Sequence, residues 1–188
     1  MAASLICMSE NAQIAELAKS DGFRRQFTVN MLTGILEAVM RGTRADMGNI
    51  QLYDPKARRL RIYVQRGFRQ RFLDFFDSVH LGEPACGSAL KAARRVIVSD
   101  VTDSPIFPSA ETMEVMLDAG VRSVQSTPVM SKSGVLLGML STHYRAVGGV
   151  AGTDLRLIDH FASRAAGIIE WQNRNALCRR EVCSAVEA

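Results

Sequence analysis

The side chains that could do chemistry fall on short segments in which polar and apolar residues alternate. Asn49, Gln51 and Tyr53 share one side of a predicted strand, and Ile50 and Leu52 share the other. If the apolar side packs on helices, the polar trio faces either a cavity or water. In a cavity, these three side chains would offer hydrogen bonds to a small polar ligand.

A histidine near a predicted strand end is the second feature of this kind. His143 shares its side of the strand with Ser141 and Met139. If that side lines a cavity, His143 could donate to a ligand oxygen or coordinate an iron ion. The plainer alternative is a histidine that hydrogen-bonds to backbone or solvent. No other metal-ligating side chain is spaced to converge on His143, so no metal site is predicted.

A third polar set, Ser123, Gln125 and Thr127, occupies alternate positions of another predicted strand. These side chains would extend the wall of the cavity if they point the same way as Asn49 and its neighbours. However, Val121 and Val129 share their side of the strand, so the pattern leaves the direction of this trio open.

Cys86 precedes a predicted helix, whose dipole would lower the pKa of the thiol and favour the thiolate. The other cysteines, Cys7, Cys178 and Cys183, fall on predicted terminal helices, away from Cys86. A redox cycle through sulfenic acid and disulfide would therefore lack a nearby resolving thiol. A small buried thiol is the simpler interpretation, and unpaired thiols are typical of a reducing, cytoplasmic compartment.

Composition excludes several classes of protein. With 188 residues, of which 47% are hydrophobic and 22% charged, the chain fits one globular domain. No apolar run approaches the roughly 20 residues of a membrane-spanning helix, and the start lacks the basic leader of a signal peptide. A basic stretch runs from Lys56 to Arg71, but its arginines alternate with Leu60 and Ile62 as on the solvent side of a strand. We therefore expect a cytoplasmic protein that binds neither membranes nor nucleic acid.

Hydrophobic periodicity predicts the elements that would position these side chains. Helices are expected at residues 27–41, 70–76, 85–93, 110–119 and 153–180, preceded by a weak helical segment at 11–19 that is broken at 21–22. Strands are expected at residues 49–53, 59–64, 94–101, 121–130 and 135–144. Hairpins at both ends and the absence of a βαβ repeat predict an α+β fold with a largely antiparallel sheet. We expect a helical extension over residues 1–26, one domain over 27–180 and a tail over 181–188.

Five segments, in order, resemble those of GAF domains in bacterial sensor kinases. They are NIQLYDP (49–55), GEPACG (82–87), VIVSDV (96–101), AGVRS (119–123) and GVLLGMLSTH (134–143). The resemblance implies a central antiparallel sheet of about six strands, with the terminal helices on one face. A ligand cavity would lie on the other face, under short helices and loops. Members of this family bind cyclic nucleotides, bilins, haem or small metabolites, and others only dimerise.

The sequence departs from two ligand-binding branches of that family. Distant similarity to phytochrome GAF domains includes Thr142, His143 and Tyr144, yet the cysteine that would attach a bilin is missing near Glu111. The Asn-Lys-Phe-Asp-Glu pattern of cyclic-nucleotide GAF domains is missing too. Free methionine-(R)-sulfoxide reductases share the fold and use several pocket cysteines, which makes Cys86 the candidate nucleophile of an enzymatic alternative. Haem or bilin binding through His143 is a further alternative.

The first and last long helices each carry two apolar stripes. A helix that lies on its own sheet needs only one stripe, so the second favours a partner helix. Pairing across a two-fold axis would give a four-helix bundle, whereas the alternative is packing against the chain's own residues 1–19. The favoured hypothesis is a non-enzymatic sensory module that binds a small molecule, forms a homodimer through these helices and acts on another signalling protein. The sequence does not identify the ligand or any cofactor.

Overall fold

The computed structural model of the chain describes residues 20–77, 94–107, 109–150 and 155–186, with side chains as far as Arg174. The helices are α1 (Asp21–Thr43), α2 (Gln70–Asp77), α3 (Ala110–Asp118) and α4 (Leu155–Val186). The strands are β1 (Met47–Asp54), β2 (Arg59–Arg66), β3 (Val96–Val98), β4 (Ser123–Met130) and β5 (Leu136–Tyr144). The helices predicted at 11–19 and 85–93, and the predicted cap Thr153, lie outside the described residues.

Helix α1 begins six residues before its predicted start. The Ser20 side chain caps it by accepting a hydrogen bond from the backbone nitrogen of Phe23 at 3.2 Å. Asp21 then lies in the first turn, where a carboxylate favours the positive end of the helix dipole. The break predicted at Asp21 and Gly22 is therefore wrong, because a good cap and a first-turn acid outweigh one glycine. At the other end, α4 continues to Val186, past the predicted end near residue 180.

The five described strands form one sheet in the order β2-β1-β5-β4-β3, with every neighbouring pair antiparallel. The antiparallel α+β prediction is confirmed, but the count is one strand short of the six that the resemblance implied. The strand predicted over 94–101 keeps only Val96–Val98. It ends early because the Asp100 side chain accepts from the nitrogen of Thr102 at 2.9 Å and starts a 3-10 helix, Val101–Asp103.

The two long helices cover one face of the sheet, which we call the helical face. Their buried side chains meet those of β1, β2, β4 and β5 in a continuous apolar core. Its members include Leu32, Leu36, Val39, Ile50, Val64, Val129, Leu140, Ile158, Ala162, Ala165 and Ile169. The predicted position of the terminal helices on one face is confirmed. No helix among the described residues is both long and apolar enough to cross a lipid bilayer.

The opposite face, which we call the pocket face, is covered by α2, the 3-10 helix and α3. Met47, Val98 and Val124 of the sheet pack there against Phe72 and Val115. Helix α3 ends before Gly120, whose φ of +77° is a left-handed conformation that suits glycine. Short helices on one face and long helices on the other give the layered arrangement that the sequence predicted.

Candidate functional site

Strand pairing places the first two polar sets on the pocket face together. Asn49 is paired with Ser141, and Met47 is paired with His143. Since Met47 packs with α2 and α3, its partner His143 lies on the same side. Gln51 is two residues beyond Asn49 and shares that side. These polar residues therefore share one face of the sheet, while their role in ligand binding stays a prediction.

These residues belong to a polar row that crosses four strands at right angles to them. The pairs that define the row are Gln65 with Asn49, Asn49 with Ser141, and Ser141 with Ser126. The hydroxyls of Ser126 and Ser141 are hydrogen-bonded at 2.8 Å and buried. Because neighbouring strands are about 4.8 Å apart, the row is roughly 14 Å long. His143 flanks it on one side and Gln51 on the other.

Three buried polar atoms on this face have no hydrogen-bond partner among the described residues. They are Asn49 Oδ1, Gln51 Oε1 and His143 Nδ1. The three residues are only 3%, 4% and 5% exposed, respectively. A buried polar atom without a partner costs about 1–3 kcal/mol, and folded proteins rarely keep several together. Their concentration on one face identifies this face as the candidate functional site.

The His143 ring is held edge-on by two aromatic rings. Its centroid lies 4.9 Å from that of Phe68 and 6.0 Å from that of Phe72, with the rings nearly perpendicular to it. Phe68 and Phe72 are stacked on each other. Burial in this apolar setting lowers the pKa of His143 from 6.5 to about 3. The imidazole is therefore neutral at physiological pH, and its ring position is fixed by packing.

Tyr53 lies at the edge of the pocket face. It is half-buried and packs in a small cluster with Leu60, Met139 and Val96. Its paired residue on β2 is Leu60. Tyr53 therefore shares the face of Asn49 and Gln51, as predicted, but its neighbours are mainly apolar.

The third polar set, Ser123, Gln125 and Thr127, points away from the pocket face. Gln125 is paired with Thr142 and Thr127 with Leu140, which belongs to the core under α1 and α4. The interpretation of this set as a cavity wall is therefore wrong. All three are buried because the sheet is covered on both sides, so polarity alone did not mark the exposed side.

Instead, Gln125 and Thr127 join a polar network on the helical face. With both amide atoms satisfied, Gln125 donates from its nitrogen to Thr142 Oγ1 at 3.1 Å and accepts at its oxygen from the Thr127 nitrogen at 2.9 Å. Thr127 Oγ1 accepts from Arg95 Nε at 2.9 Å. The same Arg95 forms a salt bridge to Asp159 and reaches the Leu155 carbonyl oxygen at 3.5 Å. This arginine thus ties the sheet to the first turns of α4.

The sequence reasoning missed Ser126, Gln65, Phe68 and Phe72 as members of the site. The shared parity of Ser126 with the buried Val124 was the available signal. Cys86 and Cys7 lie outside the described residues, and the side chains of Cys178 and Cys183 are likewise outside them. Among the described residues, no group of three or more His, Cys, Asp or Glu side chains is placed to hold a metal ion.

A concave surface lies outside the sheet, between α1 and α4. This inter-helix groove has a volume of about 770 Å³. Apolar side chains line it, namely Phe27, Met31 and Ile35 from α1 and Phe161, Ile168 and Trp171 from α4. Its floor includes Gly34 and Gly167, and a Cβ added at either glycine would meet nothing within 4 Å. Phe27 and Met31 are 40% and 41% exposed.

Comparison with known families gives one match, to the GAF domain model, over residues 29–170. No curated protein sequence matches the chain. The matched range contains the sheet, the polar row and the inter-helix groove, apart from Phe27 and Trp171 at its ends.

Solved structures with the same fold include proteins of different annotated activities. The GAF domain region of a protein described as a membrane protein from Geobacter sulfurreducens PCA has a TM-score of 0.66 at 22% identity, covering 80% of this chain and 99% of that one. A domain of a protein described as a two-component sensor histidine kinase from Sinorhizobium meliloti 1021 has a TM-score of 0.64 at 20% identity, covering 78% and 92%. Free methionine-R-sulfoxide reductase from Neisseria meningitidis, in complex with its substrate, has a TM-score of 0.63 at 16% identity, covering 89% and 95%. At these identities the similarity shows a shared fold.

Proposed function

Because the chain belongs to the GAF domain family, we propose that it is a non-enzymatic sensory module that binds a small molecule on its pocket face. The observation that carries this proposal is the set of three buried polar atoms, on Asn49, Gln51 and His143, that have no partner in the part of the chain that the structure describes. A ligand that hydrogen-bonds to them would recover the hydrogen-bond energy that the free protein lacks, about 1–3 kcal/mol for each atom.

Transmission of ligand occupancy would run through β4. Ser126 faces the pocket, and its neighbours Gln125 and Thr127 face α4 through Arg95. A ligand that moves the Ser126–Ser141 pair therefore shifts a strand that is hydrogen-bonded to the start of α4. A small helix displacement of this kind is a common output of signalling domains.

The inter-helix groove supports a homodimer formed by α1 and α4. Its apolar lining and its half-exposed Phe27 and Met31 are typical of a surface that a partner covers. Gly34 and Gly167 lower helix stability by about 1 kcal/mol each relative to alanine, yet no described residue of the subunit fills their Cβ positions. Close approach of a second copy's helices accounts for two glycines in one groove. We propose that helix movement in this dimer is read by another signalling protein.

Native mass spectrometry of the freshly purified full chain tests the ligand and the dimer together. We expect a two-subunit ion that carries a small molecule, and loss of that molecule from an Asn49→Leu variant, which removes one acceptor and keeps the branching of the side chain. Thr28→Val is the matched control, because Thr28 Oγ1 is also buried without a partner but lies on α1, away from the pocket face.

Three results would contradict the proposal. If only the monomer is found across micromolar concentrations, the proposed dimer is excluded. If the chain neither retains nor binds any small molecule, the sensory role is excluded. Equal retention by the wild type and Asn49→Leu would place the ligand elsewhere. The ring centroid of Trp171, the one tryptophan of the chain, lies 5.3 Å from that of Phe27 on the other helix. Tryptophan fluorescence therefore reports whether binding moves α1 relative to α4.

A further inference from the structure

The charge of the pocket face limits the ligands that it can hold. Among its described strand residues no side chain carries a formal charge. The face is made by Met47, Asn49, Gln51 and Tyr53 on β1, Ser141 and His143 on β5, Val124 and Ser126 on β4, and their paired neighbours. Arg71, on the helix that covers this face, is 53% exposed and paired with Glu114 and Asp118.

An anionic ligand on this face would therefore meet no compensating cation among the described strand residues. Burying an unpaired charge costs several kcal/mol or more, whereas an uncharged hydrogen-bonding group is buried at little cost once it is paired. The histidine adds no charge, since burial keeps its imidazole neutral.

The unpartnered atoms define the complementary groups of the ligand. Asn49 Oδ1 and Gln51 Oε1 accept hydrogen bonds, so the ligand must donate to them, while the neutral imidazole of His143 accepts at Nδ1 in one tautomer and donates there in the other. Asn49 and Gln51 are two residues apart on one strand, about 7 Å, and His143 lies diagonally across from Asn49 at about 7–8 Å. One N–H group cannot reach all three positions. The ligand therefore carries at least two separated donors.

We infer that the ligand of the pocket face is an uncharged small molecule with two or more N–H or O–H donors directed at the sheet. This inference rests on the proposed function, since it specifies the ligand class of the same site.

Three flat probes of nearly equal shape test the charge rule. They are 4-aminobenzamide, which is neutral with donors at both ends, 4-aminobenzoate, which is an anion, and 4-aminobenzamidine, which is a cation. Ligand-observed NMR with the full chain measures their dissociation constants. We expect the neutral amide to bind at least tenfold more tightly than the anion, and Asn49→Leu to weaken the amide at least tenfold. A tenfold change corresponds to about 1.4 kcal/mol, within the range of one buried hydrogen bond.

Two further variants keep the test decisive if Asn49→Leu is unstable. Asn49→Asp adds a negative charge at the same volume, so it should reverse the order and favour the amidine over the amide. Thr28→Val removes an unpartnered hydroxyl away from the face and should leave all three constants unchanged.

The outcomes separate the ligand class from the site. If the benzoate binds as tightly as the amide and is lost in Asn49→Leu, the site stands and the inferred ligand class is wrong. If all three bind equally in the wild type and in Asn49→Leu, the pocket face does not select them and the inference fails. If none binds and native mass spectrometry finds no retained molecule, the proposed function fails with it.

Discussion

The glycines of the inter-helix groove give the sharpest test of the dimer. We expect Gly167→Ala to stabilise the isolated subunit and weaken its self-association. Gly167 is exposed on α4, and an added Cβ meets no described atom within 4 Å, so the methyl group introduces no clash with the described part of the subunit. Alanine is favoured over glycine in a helix interior by about 1 kcal/mol. For a chain of this length, that change raises the melting temperature by about 2–4 °C.

The effect on the dimer has the opposite sign. In a two-fold interface each substitution occurs twice, and an extra methyl in a tightly packed contact costs about 1–3 kcal/mol. Two copies therefore weaken association by at least about 2 kcal/mol, which raises the dissociation constant roughly 30-fold. Gly34→Ala, on the facing helix of the same groove, should act in the same direction.

Urea unfolding at a concentration where the subunit is monomeric measures the first effect, and sedimentation equilibrium measures the second. Gly22→Ala is the matched control, because Gly22 is also open at its Cβ position but lies outside the groove. It should leave the dissociation constant unchanged. The reasoning is refuted if Gly167→Ala destabilises the subunit, or if neither groove variant alters self-association.

Further expectations concern the pocket face and its connection to α4. Because burial lowers the pKa of His143 from 6.5 to about 3, the unfolded chain takes up a proton below pH 6.5 that the folded chain refuses. The free energy of unfolding should fall by about 1.4 kcal/mol per pH unit below 6.5, and His143→Gln should remove this fall in urea titrations at pH 5 and 7.5. Without ligand, Asn49→Leu should be neutral or stabilising by up to about 1 kcal/mol in urea unfolding, since it removes an unpartnered acceptor; a loss above 2 kcal/mol would contradict the assignment. Arg95→Met should lower the free energy of unfolding by about 1–3 kcal/mol. Asp159→Asn should lower it by under about 1 kcal/mol, because the carboxylate is 59% exposed. Equal losses for the two variants in calorimetry would contradict this difference. Coupled assays should show no reduction of free methionine-(R)-sulfoxide, and turnover that Cys86→Ser abolishes would establish the enzymatic alternative.

The sequence predicted the sheet and one of its two faces well. In β1, Ile50 and Leu52 alternate with Asn49 and Gln51, so one periodicity predicted both the strand and the side of it that packs on the helices. The helix α1 also had its signals, Ser20 as the cap and Asp21 in the first turn. The prediction gave more weight to Gly22 and placed a break there, although a helix tolerates a glycine in its first turn.

Strand β4 could not be oriented in this way. Ser123 to Thr127 are all buried, because α4 covers one side of the sheet at this strand and the short helices of the pocket face cover the other. On such a strand, polar residues are tolerated wherever they find partners, and Gln125 finds them in Thr127 and Thr142. Thr142 lies 17 residues further along the chain, on the neighbouring strand, so the periodicity of β4 alone does not predict this partner.

The alternation of β4 also bears on how such a protein changes over evolution. Ser126 contacts Ser141 on the pocket face, while Gln125 and Thr127 connect to Arg95 on the helical face. Under the proposed function, adjacent residues of one strand therefore serve ligand recognition on one side and connection to α4 on the other. In the proposed function, replacing Ser126 alters the ligand that is recognised and leaves the contacts of Gln125, Thr127 and Arg95 in place. A lineage can therefore acquire a new ligand without changing the residues that connect the sheet to α4.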